Sequence, residues 1–153
     1  MKQLGRHHPL RFRSGAEVLE MALTLPLLLV LAFGTMEFGY WFYLEHNFQA
    51  AAREGVRAGV AAQNTDDGER QVAAIAAVDA VMQSIRLPSD RYDVTVDWLT
   101  VDGVRYMRVT VKADWRDVGV ETGLFVRFRQ GAQTELVHED AKIAGQATMR
   151  VES

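Results

Sequence analysis

The 153-residue chain contains no cysteine, which excludes disulfide staples, thiol nucleophiles and cysteine metal sites and leaves packing alone to stabilise any folded part. Proline is nearly as scarce, with only Pro9, Pro26 and Pro88, so long helices have room to run. Histidine is thin as well. His7 and His8 are adjacent with no further ligand nearby, which makes a poor metal site, and His46 and His138 stand far apart in the chain. There is no GxSxG, no glycine-rich phosphate loop and no HExxH, and His138-Glu139-Asp140 reads as a solvated turn. These gaps argue against an enzyme and imply no cofactor and no metal. Acidic residues are missing from the first sixteen positions, where Lys2, Arg6, Arg11 and Arg13 stand. The formal net charge of −3 therefore hides an acidic remainder, which disfavours a nucleic-acid partner because no basic patch is concentrated there to neutralise phosphates.

Charge is absent again from Met21 to Met36, between single acids at Glu20 and Glu37. At about 1.5 Å of rise per residue, the helix between those two acids runs roughly 25 Å, close to a hydrocarbon core of about 30 Å. The stretch reads as a membrane span in a lipid bilayer. Its basic leading side places the N-terminus in the cytoplasm and everything after the span outside it. Tyr40, Trp41 and Tyr43 fall where an outer aromatic belt is expected, and Glu37 reaches the headgroups beside them. Pro26 is expected to bend the membrane half.

Glu20 is the costly residue. A carboxylate at the edge of a hydrocarbon segment costs a few kcal/mol on insertion scales, and such a residue calls for a partner. Were the chain cut after Gly15, the new α-amino group at Ala16 would be a cation, and Glu20, fifth from that end, could pair with it on a neighbouring chain in low dielectric. Ser14 with Glu17 also makes a capping box, so the same residues read as an ordinary helix start, and a basic leader before an apolar run is compatible with a secretory signal.

The run Gly15-Ala16-Glu17-Val18-Leu19-Glu20-Met21-Ala22-Leu23-Thr24-Leu25-Pro26, followed by Phe33-Gly34-Thr35-Met36-Glu37-Phe38-Gly39 and Ala51-Ala52-Arg53-Glu54-Gly55-Val56-Arg57-Ala58-Gly59, resembles the TadE-like pseudopilins and minor pilins of the tight-adherence (Flp) pilus system. The final stretch Ala147-Thr148-Met149-Arg150-Val151 shares the likeness, and the middle does not. The resemblance implies a prepilin peptidase that cuts between Gly15 and Ala16, and a need for Glu20 in processing or assembly. It also implies other pilin or pseudopilin subunits as partners through the N-terminal helix, and assembly proteins of the bacterial inner membrane. Met21, where the family carries an aromatic residue, and the extra acid Glu17 depart from the pattern.

Beyond the span the helix is expected to continue, since no proline interrupts Leu44 to Ala62 and Ala51, Gly55, Ala58 and Ala62 form a small-residue stripe beside Phe48, Val56 and Val60. Capping residues at Asn64 to Gly68 open a second helix, with an apolar stripe of Val72, Ile75, Val78, Met82 and Ile85 that ends at Leu87-Pro88. The period then falls to two. Tyr92, Val94, Val96 and Trp98 pair across an Asp102-Gly103 turn with Met107, Val109, Val111, Ala113 and Trp115, and Ile143, Ala147, Met149 and Val151 mark a third strand. Gly123 to Arg129, with aromatics among arginines, reads as an edge strand, a loop on the membrane surface or a partner patch.

The expectation is an α+β, pilin-like chain: a basic leader over 1–15, a transmembrane helix over 16–44, and an outer domain over 45–153 with a second helix on a three- to four-stranded antiparallel sheet. Its expected function is that of a single-pass minor pilin or pseudopilin. The alternative is a membrane-anchored envelope module that does not polymerise.

Overall fold

The structure, a computed structural model, describes residues 14–62, 66–119 and 142–151. The leader, the Gly123 to Arg129 stretch and His138 lie outside them. The chain forms two compact units, one up to Met36 and one from Glu37 onward, and helix α1, Ser14–Ala61, contributes to both.

In the first unit α1 is apolar on every side, and its large side chains are open to the surroundings, with Leu19, Met21, Leu23 and Leu27 all more than 60% exposed. A helix apolar all round satisfies its surface only in lipid or among other helices. The polar groups inside this run are answered locally. Thr24 Oγ1 donates to the Glu20 carbonyl and Thr35 Oγ1 to the Leu31 carbonyl, each at 2.8 Å, so neither hydroxyl enters an apolar medium unpaired. Pro26 sits inside the helix without ending it.

The second unit is a helix pair against a sheet. Helix α2 spans Asp67–Ser84 and begins at Asp66, whose carboxylate accepts from the Gly68 N–H at 3.2 Å. Strands β1 (Asp93–Val101), β2 (Val104–Asp114) and β3 (Lys142–Arg150) form an antiparallel sheet in the order β1-β2-β3. Asp102 and Gly103 make the β1–β2 turn with φ of 52° and 77°, the doubly positive geometry whose twist suits a two-residue hairpin, and Val101 pairs with Val104 across it. Alternation along β2 sends Met107, Val109 and Val111 into the core, where they meet Leu44, Phe48 and Val56 of α1, Val78 and Met82 of α2, and Ile143 of β3.

Three sequence expectations shift. Val72 is not part of the core face of α2; it is 68% exposed, and Ala74 takes the buried place one turn before Val78 and two before Met82. A small residue is required there because α1 lies close: a β-carbon on Gly55 would come within 3.1 Å of the Ala74 carbonyl oxygen. The close-approach stripe of α1 correspondingly runs through Ala51, Ala52, Gly55 and Gly59 rather than reaching Ala58 and Ala62. Trp115 does not end β2. It opens a short helix α3, Trp115–Gly119, and is buried.

β3 meets α1 through its backbone. A β-carbon on Gly145 would collide with the Phe48 carbonyl, so only glycine admits the helix at this point. Gln49 then clips the strand edge: its Nε2 donates to the Gln146 carbonyl at 2.7 Å, and its Oε1 accepts from the Gln146 N–H at 3.1 Å. One side-chain amide thus satisfies both backbone groups of an edge residue, which blunts that edge against pairing with another chain.

Tyr92 fastens α2 to the start of β1. Its hydroxyl donates to Asp79 Oδ1 at 2.6 Å, and burial first, then that bond and the negative charge beside it, push the phenol well above its ordinary 10.0. The neutral form is favoured by folding, so this contribution is complete below pH 10 and drains away as pH rises beyond it, where the unfolded chain ionises and the folded chain does not. Tyr92→Phe is expected to cost about 1 kcal/mol at neutral pH. It should also flatten the alkaline loss of stability, as measured by urea unfolding at a series of pH values from 8 upward.

Candidate functional site

The predicted processing residues lie on the first turns of α1. Gly15 has open space where a side chain would stand, and Ala16 and Glu20 are exposed. The Glu20 carbonyl accepts from Thr24, but among the described residues no cation pairs with its carboxylate. The acid thus sits one residue before an uncharged run, on a helix that is apolar all round, ready for a cation from elsewhere. Helical order runs from Ser14 onward among the described residues, which places the Gly15–Ala16 bond on the first described turn of α1.

The aromatic residues expected at the interface divide. Tyr40 and Trp41 turn partly onto the core of the second unit, and the Tyr40 hydroxyl donates to the Val118 carbonyl at 3.3 Å. Tyr43 is half exposed, stacks on Tyr40 at 6.2 Å, and shares its outward exposure with Phe38 and Phe42. Tyr43, Phe38 and Phe42 are thus the rings free to meet headgroups. Phe38 and Phe42 are not among the residues that the sequence assigns to the aromatic belt, although both follow within six residues of the end of the uncharged run. Glu37 is partly buried and engaged within the protein. Farther along α1, Arg57 donates to Glu54 at 2.6 Å and 3.0 Å, holding that carboxyl below its ordinary range on an exposed face.

A second feature was not legible beforehand. Tyr40 and Tyr43 line a cavity of about 370 Å³ together with Arg86 and Arg91, which lie at the end of α2 and in the turn before β1. No local sequence pattern joins these pairs, because the fold alone brings residues so far apart in the chain together.

Among the described residues α1 is the one helix long and apolar enough to cross a membrane, and its apolar segment is wholly exposed, as an anchor requires. Residues 15–57 match the family model for TadE, described as TadE-like protein. The match opens on Gly15, includes Glu20 and Glu37, and ends within α1, so the likeness of residues 147–151, at the end of β3 and just past it, falls outside the match. No curated protein and no solved structure matches the chain significantly. Residues 15–57, which lie wholly within α1, are thus similar to TadE-like proteins.

Proposed function

We propose that this chain is a minor pilin or pseudopilin of a tight-adherence, Flp-type pilus, with a structural and not an enzymatic role. The observation that carries the reading is the first unit of α1: a run from Met21 that is apolar on every side and exposed, preceded directly by a carboxylate five positions after Gly15, where the family match begins. A prepilin peptidase cuts between Gly15 and Ala16, and the new α-amino group of one subunit neutralises Glu20 of another, or of a different pilin subunit, as the helices pack. Before that step the chain rests in the bacterial inner membrane, N-terminus in the cytoplasm and second unit outside, in contact with the inner-membrane assembly proteins.

Mass spectrometry of the chain produced with its cognate peptidase tests this. The expected mature N-terminus is Ala16, and Gly15→Val should keep the full-length mass, because it puts a branched side chain at the residue just before the bond to be cut. A wild-type chain that still begins at Met1 overturns the processed-pilin reading and leaves a membrane-anchored module that does not polymerise.

A further inference from the structure

The cavity lined by Tyr40, Tyr43, Arg86 and Arg91 has a chemistry that the pilin reading does not use. Its walls are of two kinds. Ile85 and Leu87 give it an apolar side, and the two guanidinium groups and two phenols give it a polar one.

Arg86 is the informative residue. It follows helix α2 with φ of 60°, and the backbone closes a Schellman turn: the Arg86 N–H donates to the Gln83 carbonyl at 2.9 Å and the Leu87 N–H to the Met82 carbonyl at 3.0 Å. Glycine is the residue suited to that position, because a β-carbon is strained in the left-handed region. A long cationic side chain held there at the expense of stability, on the rim of a cavity and with no hydrogen bond or ion pair to another described residue, is what a binding role leaves behind. Arg91 is held at the same rim by its Nη1 bond to the Asp117 carbonyl at 2.8 Å.

Asp117 also lines the cavity, so the rim carries two cations against one anion. That balance suits a singly charged phosphodiester better than a doubly charged phosphate monoester, and the apolar wall suits a ligand that is itself amphipathic. Position along α1 agrees. Tyr40 follows the last residue of the uncharged run by four positions, about 6 Å of helix rise, which is the depth of a headgroup layer.

We propose that this cavity binds the phosphodiester headgroup of an anionic membrane lipid, with Arg86 as its main cation. Arg86 meets the phosphate with paired N–H donors, the tyrosine hydroxyls approach the glycerol side, and Ile85 and Leu87 shelter the first carbons of the lipid. The proposal rests on α1 being a membrane anchor.

The test uses the full chain in a neutral detergent. Short-chain phosphatidylglycerol is titrated while tryptophan emission is followed, since Trp115 lies 6.0 Å from the Tyr40 ring. Saturable binding at least tenfold tighter than that of short-chain phosphatidylcholine is expected. Arg86→Gly should weaken it at least tenfold while the unfolding midpoint stays level or rises, which a structural role for Arg86 would not produce. Wild-type affinity in Arg86→Gly, or equal affinity for the two lipids, overturns the proposal, and glycerol 3-phosphate binding as tightly as the lipid overturns the membrane source. Flotation with vesicles of phosphatidylcholine alone reads the anchor separately. A chain that fails to float overturns the anchor, whereas one that floats but shows no effect of Arg86→Gly overturns the headgroup site alone.

Discussion

Gly145→Ala should lower the stability of the second unit by about 3 kcal/mol, and Gly145→Val should leave it unfolded. The added β-carbon would fall onto the Phe48 carbonyl and 2.5 Å from the Gln49 amide nitrogen. Those are backbone atoms inside a helix, and they cannot rotate away as a side chain can. Relief would require α1 to lift off β3, which would strip Phe48 from a core where it is completely buried and pull the Gln49 amide from Gln146. Other glycines calibrate the effect. Gly59 also has close neighbours, but the nearest atoms belong to the flexible end of Met107, and Gly103 has open space and only its positive φ to defend. The expected order of damage from alanine is therefore Gly145 first, then Gly59, then Gly103 at about 1 kcal/mol. Thermal unfolding of the full chain in detergent, followed by near-ultraviolet circular dichroism, measures it; a Gly145→Ala midpoint within about 2 °C of wild type would show that α1 does not press on β3 at this point.

The same glycine shows what the sequence could and could not reveal. A glycine inside an alternating strand signals a close backbone approach. The signal was present, but its partner is the Phe48 backbone, in a helix far away in the chain, and nothing local names it. Features with a local cause were legible: the uncharged run, the Asp102-Gly103 turn, the two-residue period on either side of it, and the cap at Asp66. Features decided by what packs opposite were not. Val72 continues a helical stripe in the sequence but faces outward, because the surface α2 presents to α1 is set by the glycines of α1 and calls for Ala74. Trp115 continues the alternation of β2, yet the chain turns into α3 there and buries the ring beside Tyr40. Of the candidate site, the Gly15 to Glu20 constellation is a matter of spacing along one helix and could be read directly. The Tyr40–Arg86 cavity is assembled from three separate stretches and could not.

The proposed pilin function makes its strongest demand on Glu20. Glu20→Ala should insert into membranes at least as well as wild type, because the substitution removes a carboxylate whose cost at the edge of a hydrocarbon segment is a few kcal/mol. It should nevertheless fail to assemble. Once the leader is gone, the amine at Ala16 enters the packed helices with its counter-charge missing, and an uncompensated charge in low dielectric costs about 3–5 kcal/mol, more than a hundredfold in the docking equilibrium. The two effects have opposite signs, and this separates the reading from general damage: a misfolded chain would lose membrane association and assembly together. Glu20→Gln sharpens the test. It keeps the length and hydrogen-bonding capacity of the side chain and removes only the charge, so it should assemble little better than Glu20→Ala if ionic pairing matters, and nearly as well as wild type if a polar contact suffices. The readouts are carbonate extraction of membranes for insertion and recovery of the chain in sheared filaments for assembly. Normal filament recovery with Glu20→Ala would reduce the carboxylate to an incidental feature of the first turns of α1.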